Sequence, residues 1–114
     1  MTGKPPSIGA LRERLTLQSP SRTADGGGGA AVTWETVAEL WAHVRPISGD
    51  ERLRHDAVAG RVTHEVWIRH RSDVVPAMRF TDGTRILDIV AVLDAGSASG
   101  RPDRLQCLCE ERHL

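Results

Sequence analysis

The sequence predicts a mainly β fold: a small antiparallel β-barrel or sandwich of about six strands, with one short α-helix and a long Gly-rich loop. Three observations support this class. Apolar and polar residues alternate in several separate runs, turn-forming residues lie between those runs, and only one segment carries both helix start and helix stop signals. At 114 residues the chain is predicted to be a single domain, 1–114.

The first predicted strand covers residues 11–18, where Leu11, Glu13, Leu15 and Leu17 share one face and polar residues occupy the other. Pro20 is expected to end it, because proline has no backbone N–H to donate to a neighbouring strand. A second, longer strand is predicted from near Val32 to Val44, with an irregularity within residues 35–38. Pro46 is expected to end that strand.

Between these two strands lies the segment SPSRTADGGGGAA, residues 19–31, which is predicted to be a long flexible loop. Its four consecutive glycines have no side chains to bury and a high entropic cost of ordering. Long loops of this kind in compact domains are commonly functional or disordered. We therefore expect the loop to face outward, towards a partner.

A short helix is predicted over residues 48–59. Ser48 and Glu51 have the spacing of a capping box, and Gly60 is a typical helix stop. The segment is strongly charged and only weakly amphipathic, so it is expected to lie on the surface or against a neighbouring subunit.

The C-terminal half contains the remaining strands. Residues 61–71 alternate clearly, with Val66 and Ile68 on one face and Trp67 and Arg69 on the other. A short strand is expected at 78–80, a tight turn at Asp82 and Gly83, and a central strand at 85–93. A second loop covers 95–103, and a last strand covers 104–110. That last strand is predicted to direct three residues inward, namely Leu105, Cys107 and Cys109.

Charge and composition exclude several functions. The formal net charge is zero, with 15 basic and 15 acidic residues, so the broad positive surface of a free-standing nucleic-acid-binding protein is not expected. There is no apolar stretch of about eighteen residues and no signal-peptide core, which predicts synthesis in the cytoplasm and no membrane contact. The two cysteines are separated by one residue and are predicted to be reduced core residues rather than a disulfide.

Catalytic, cofactor and metal sites are not predicted. The five histidines are scattered, and His64 and His70 would lie roughly 20 Å apart along one strand, too far to share a metal ion. Residues 96–100 resemble a nucleophile elbow, but Ala98 occupies the place of the nucleophile. The glycine tract is not followed by the Lys-Ser/Thr pair of a phosphate-binding loop. An enzyme or a ligand-binding barrel is therefore a weak alternative.

A single-stranded nucleic-acid-binding module of the OB type is a stronger alternative. Trp67 shares a strand face with Arg69 and Arg71, and Trp41 shares one with His43 and Arg45. Basic and aromatic side chains interleaved on a sheet are typical of proteins that stack single strands. The competing interpretation is that the tryptophans pack against the helix or a neighbouring subunit while the arginines reach solvent.

The ordered segments of the chain resemble the phage head–tail joining proteins. The resemblance covers nearly the whole chain and rests on the following segments: 11–18 (LRERLTLQ), the Gly-rich loop, 33–34 (TW), 37–38 (VA), 40–51 (LWAHVRPISGDE), 62–71 (VTHEVWIRHR), 75–79 (VPAMR), 87–89 (LDI) and 105–111 (LQCLCEE).

This resemblance implies a subunit of the connector between capsid and tail in a siphophage, a prophage or a gene transfer agent. It implies a small β-barrel with one helix and one long loop. It also implies a homo-oligomeric ring, expected to be a dodecamer, that acts as a head-closure or stopper protein. The implied partners are adaptor or portal proteins on the head side, tail terminator or tail tube proteins on the tail side, and double-stranded DNA in the channel. The protein would move from the cytoplasm into the neck of the particle.

The resemblance also assigns roles to two sets of residues. The loop would face the channel and help to hold packaged DNA, with these residues at its centre: Arg22, Thr23, Ala24, Asp25, Gly26, Gly27, Gly28 and Gly29. Because the loop has only two charges, steric gating is expected rather than phosphate binding. The helix is expected to contact neighbouring subunits or the adaptor through four charged residues: Glu51, Arg52, Arg54 and Asp56.

Overall fold

The computed structural model describes residues 6–24, 30–47, 61–93 and 104–113. Within these ranges the chain forms a short 3-10 helix, Ile8–Ala10, and six strands. The strands are β1 Glu13–Ala24, β2 Ala30–Pro46, β3 His64–Arg69, β4 Arg79–Thr81, β5 Arg85–Leu93 and β6 Arg104–His113. They close into an antiparallel barrel in the order β1-β2-β3-β6-β5-β4. The predicted fold class, a small antiparallel barrel, is confirmed.

The pairing of β1 with β2 contains one irregularity. Leu17 pairs with Ala38, but the next residue, Gln18, pairs with Thr36, which leaves Val37 as an extra residue in β2. Such a bulge bends the strand and increases its twist. The irregularity predicted within residues 35–38 is confirmed, and it lies where β1 and β2 leave the barrel.

The barrel interior is filled by side chains that alternate along each strand. Leu15 and Leu17 on β1 and Cys107 and Cys109 on β6 are all at most 2% exposed. Phe80 and Leu87 complete the tightly packed centre with no exposed surface. The alternation of inward and outward side chains in the sequence therefore identified these core residues correctly. Burial raises the pKa of the Cys107 thiol to about 12 and also raises that of Cys109, so both are poor nucleophiles.

The outer face of β3 and β6 is buried as well. Glu65 and Trp67 on β3 are each 2% exposed, and the outward side chains of Arg104, Gln106 and Leu108 on β6 are similarly covered. The N-terminal segment contributes to this cover, because the Arg104 Nε atom donates to the Pro6 carbonyl at 2.9 Å.

The predicted loop over residues 19–31 is too long. β1 continues to Ala24 and β2 begins at Ala30, so strand pairing covers most of the segment. Pro20 does not end β1, because β4 pairs with β1 only from Thr16 to Gln18. Beyond Gln18 one side of β1 is a free edge, where a proline without an N–H is tolerated.

Several predictions fall outside the described residues. The predicted helix over 48–59, the glycine tract at 26–29 and the predicted loop at 95–103 all lie there. Among the described residues there is no α-helix, and no helix is long and apolar enough to cross a membrane.

The connection between β3 and β4 contains a strained residue. Ala77 has a φ of 85°, and the Met78 amide donates to the Val75 carbonyl at 3.3 Å. Pro76 precedes Ala77, so the segment has the form of a type II turn, in which the third residue prefers glycine. A Cβ atom in this region of φ is unfavourable by roughly 1–2 kcal/mol.

Replacing Ala77 with glycine is therefore expected to stabilise the protein. The relief of strain exceeds the entropy that glycine adds to the unfolded chain, giving a net gain of about 0.5–1 kcal/mol. Urea denaturation followed by tryptophan fluorescence measures this change. As a matched control, Ala38→Gly in β2 is expected to destabilise, because Ala38 lacks a positive φ. Equal effects of the two substitutions would contradict the proposed strain.

Candidate functional site

The most distinctive feature of the molecule is a two-stranded arm, formed by residues 19–24 of β1 and 30–36 of β2. Its ladder runs without interruption from Ser19 opposite Glu35 to Ala24 opposite Ala30. No other described strand pairs with these residues, because β4 meets β1 only up to Gln18 and β3 meets β2 only from Ala42 onwards. At the usual rise per residue, β1 extends about 17 Å beyond Ser19.

Arg79 of β4 fixes the base of the arm. Its guanidinium carbon lies 4.0 Å from the ring centroid of Trp34, and its Nε atom donates to the Gln18 side-chain oxygen at 2.7 Å. Burial is the main cause that lowers the pKa of Arg79, and the nearby Arg112 adds to it. The arginine thus joins the barrel wall to Trp34 in the arm and to Gln18, the residue of β1 just before the arm.

Several described residues of the arm and its base are exposed. Val32 is 45% exposed and Val37, at the bulge, is 39% exposed. Arg22 and Glu35 are exposed charged residues on the described part of the arm. A two-stranded ribbon without a third strand or an apolar cover is only marginally stable in water. The arm therefore presents apolar side chains to solvent and two backbone edges that no described strand pairs with, which suits a segment completed by a partner.

Removal of the anchor is expected to loosen the arm without unfolding the barrel. Arg79→Ala eliminates the stacking on Trp34 and the hydrogen bond to Gln18, together worth about 1.4 kcal/mol. That energy corresponds to about tenfold faster local opening. The amide hydrogen exchange rates of Ser21 and Thr33 measure this local opening of the arm. Arg61→Ala, which removes an exposed arginine 3.6 Å from Glu110, should leave these rates unchanged. Unchanged exchange in Arg79→Ala would show that the anchor does not hold the arm.

The structure places only part of the predicted channel loop. Arg22, Thr23 and Ala24 belong to β1 and pair with residues of β2 at the far end of the arm. The other predicted channel residues, Asp25, Gly26, Gly27, Gly28 and Gly29, lie outside the described residues, as do all four predicted contact residues of the helix: Glu51, Arg52, Arg54 and Asp56.

A buried polar network on the outer wall was not predicted from the sequence. The Glu65 carboxylate accepts hydrogen bonds from the Trp67 indole nitrogen at 2.6 Å and from the Gln106 amide at 2.7 Å. Arg45 approaches the same carboxylate with two nitrogens, each at 3.2 Å. Charge-assisted, two-pronged contacts of this kind are stronger than neutral hydrogen bonds. The network ties three neighbouring strands, β2, β3 and β6, together.

This network overturns one part of the alternative nucleic-acid interpretation. Trp67 is 2% exposed and donates to Glu65, so it is not available as a stacking platform. Arg45 is paired with Glu65 rather than free to contact a phosphate. Trp41, in contrast, is 53% exposed.

No group of three potential metal ligands occurs among the described residues. Asp82 instead has a structural role in the β4–β5 turn. Its Oδ1 atom accepts hydrogen bonds from the Thr84 and Arg85 amides, which lower the pKa of Asp82. Gly83 in this turn has a φ of 97°, a conformation that glycine adopts without strain. The predicted turn at Asp82 and Gly83 is confirmed.

Comparison with known proteins assigns the family. The family model described as phage head completion protein matches residues 6–112, nearly the whole chain. The chain belongs to the phage head completion protein family. A curated relative of this head completion protein is the head completion protein gp7 of Enterobacteria phage HK97. It is 26% identical over 104 residues, which cover 90% of this chain and 93% of the relative.

Two solved structures resemble this head completion protein. One is the solution structure of protein SF1141 from Shigella flexneri 2a, with a TM-score of 0.71 and 33% identity over 91% of this chain and 95% of that chain. The other is a chain in the virion of a native gene transfer agent particle, with a TM-score of 0.62 and 26% identity over 91% and 97% of the two chains. The family resemblance found in the sequence is confirmed, and the family is a structural one rather than a known enzyme family.

Proposed function

We propose that this head completion protein forms a ring in the neck of a tailed phage or gene transfer agent particle. The ring closes the filled head on the portal or adaptor side and provides the surface on which the tail terminator or tail tube docks. The protein is made in the cytoplasm and then incorporated into the particle. The observation that supports this proposal most strongly is the arm, since a ribbon of about 17 Å is long enough to reach beyond its own subunit.

The arm suits a position at the centre of such a ring. In a ring, each subunit presents one surface to the neighbour on its left and a different surface to the neighbour on its right. Arms that converge on the axis would bring together their exposed edges and apolar side chains, including Val32 and Val37. Each arm would then gain the additional contacts that a lone ribbon lacks. Order acquired only in the assembly is a known form of structural switching.

The arm would retain DNA by obstruction rather than by attraction. Arg22 and Glu35 are its charged residues in the part that the structure describes, and their charges are opposite. Strong phosphate binding needs clustered basic residues, which this part of the arm lacks.

The charged residues of segment 48–59 are proposed as contacts to neighbouring subunits or to the adaptor. Glu51, Arg52, Arg54 and Asp56 have mixed charges in the sequence, and mixed charges suit the two different surfaces of a ring contact.

Deletion of the gene tests the proposal. Particles that lack the chain are expected to be heads without tails that leak DNA, and expression of the intact chain in trans should restore filled, tailed particles. Electron microscopy counts the tails, and nuclease sensitivity measures the leaked DNA. Tailed heads that retain their DNA without the chain would contradict the proposed role.

A further inference from the structure

The outer wall of the barrel carries a second unusual surface, centred on Trp41. Trp41 is 53% exposed, the highest value among the large apolar side chains that the structure describes as exposed. Two cavities, of about 440 Å³ and about 330 Å³, are both lined by Trp41 and Arg69. We define the Trp41 surface by the residues around these cavities: Leu11, Arg12, Arg14, Leu40, Trp41 and Arg69.

The strand pairing explains why this surface is open. The ladder between β2 and β3 reaches only as far as Ala42 opposite Ile68. Trp41 is the next residue of β2, while β3 ends at Arg69. The pairing of β2 with β3 therefore stops at this point, which leaves space beside the Trp41 indole. Leu11, Leu40 and Ile68 give the cavities aliphatic walls.

The charge around Trp41 is unbalanced. The Arg14 guanidinium lies 5.0 Å from the indole centroid, and Arg12 and Arg69 line the larger cavity. In the described part of the chain, none of these three arginines forms an ion pair. Other arginines differ, since the following five all pair with carboxylates: Arg45, Arg61, Arg71, Arg85 and Arg112.

We propose that the Trp41 surface binds an acidic segment of a different protein, whose apolar side chains enter the two cavities while its carboxylates pair with Arg12, Arg14 and Arg69. Exposed tryptophan and arginine side chains in concave, partly apolar surroundings are typical centres of binding interfaces. The proposal rests on the proposed function in one respect, because the partner is taken to be another component of the same particle.

Two other occupants fit less well. The described part of a second copy offers few free acidic groups, because among its carboxylates only Glu35 and Glu39 lack an arginine partner. DNA would use the three arginines but not the aliphatic walls of the cavities, and the net charge of the chain is zero. An acidic segment with apolar residues would use both the three arginines and the aliphatic walls of the cavities.

Site-specific photo-cross-linking in assembled particles tests the proposal. Trp41 is replaced by p-benzoylphenylalanine, and the cross-linked peptide is identified by mass spectrometry. The expected product joins position 41 to a segment of another particle protein that is rich in Asp and Glu. As a control, the same group at Leu93, which is 39% exposed on β5 across the barrel from β2, should not capture that segment.

The double variant Arg12→Glu, Arg69→Glu in the photo-reactive chain should lower the cross-linking yield about tenfold or more, because like charges then face the acidic segment. Arg61→Glu, an exposed substitution on another part of the surface, should keep the yield, and thermal unfolding verifies that each variant is folded.

The outcomes separate this inference from the proposed function. If the chain is absent from particles, the proposed function fails. If the chain is present but position 41 captures DNA, another copy of the chain, a non-acidic segment or nothing, the inference fails while the proposed function stands.

Discussion

Removal of the arm is expected to leave a folded barrel that can no longer support DNA-retaining particles. The variant replaces residues 22–32 with a two-residue Asn-Gly turn between Ser21 and Thr33, which face each other in the ladder, a connection that suits paired antiparallel strands. Trp34 keeps its contact with Arg79, and none of the described residues removed belongs to the core. The free energy of unfolding should therefore change by no more than about 1 kcal/mol.

In particles, the same variant should give the nuclease sensitivity of heads that lack the chain. A folded variant that enters particles and protects DNA as well as the intact chain does would contradict a retaining role for the arm. Restoring the full-length arm with a different sequence of small polar residues, while keeping Val32, is the matched control. This control separates the effect of arm length on DNA retention from the effect of the arm's residue identities.

The Glu65→Ala substitution is expected to cause the largest loss of stability, about 2–5 kcal/mol, because it removes a buried carboxylate that accepts hydrogen bonds from buried donors. It leaves the Trp67 indole and the Gln106 amide buried without their acceptor, and each such group costs about 1–3 kcal/mol. For a domain whose total stability is of the order of 5–15 kcal/mol, this loss approaches global unfolding. Urea denaturation of the purified protein measures it.

Glu110→Ala is the matched control for Glu65. Glu110 is a partly exposed carboxylate 3.6 Å from Arg61, so its removal should change stability by less than about 1 kcal/mol. Glu65→Gln should be intermediate, because it keeps the shape of the side chain and one acceptor oxygen while losing the charge. Similar stability of Glu65→Ala and Glu110→Ala would show that the network contributes little.

The barrel and its core were predictable because they depend on local patterns. Leu15, Leu17, Cys107 and Cys109 recur at every second position, and a half-buried strand produces that pattern directly. The bulge at Val37 was also predictable, because the alternation shifts by one residue there. These features need no knowledge of which strands become neighbours.

The buried network and the arm were not predictable in the same way. Glu65, Trp67 and Arg69 alternate like an exposed strand face, and the burial of Glu65 depends on partners 20 and 41 residues away, Arg45 and Gln106. The arm contains two serines and a proline in succession, at residues 19–21, and these residue types favour turns and loops locally. Its pairing depends on the facing strand and on the anchor at Arg79, neither of which a local pattern reveals.

Cross-linking through the arm tests the central claim most directly. Thr33→Cys places a thiol on the exposed arm, while Cys107 and Cys109 are buried with raised pKa values and should not react. A short bismaleimide applied to assembled particles should then join neighbouring copies of the chain into covalent dimers, because each chain supplies one reactive thiol and each linker joins two thiols. The same thiol at Arg61, which is exposed beyond the opposite end of β2, should give little of this product. Monomers alone from Thr33→Cys in particles that contain the chain would contradict a ring of converging arms.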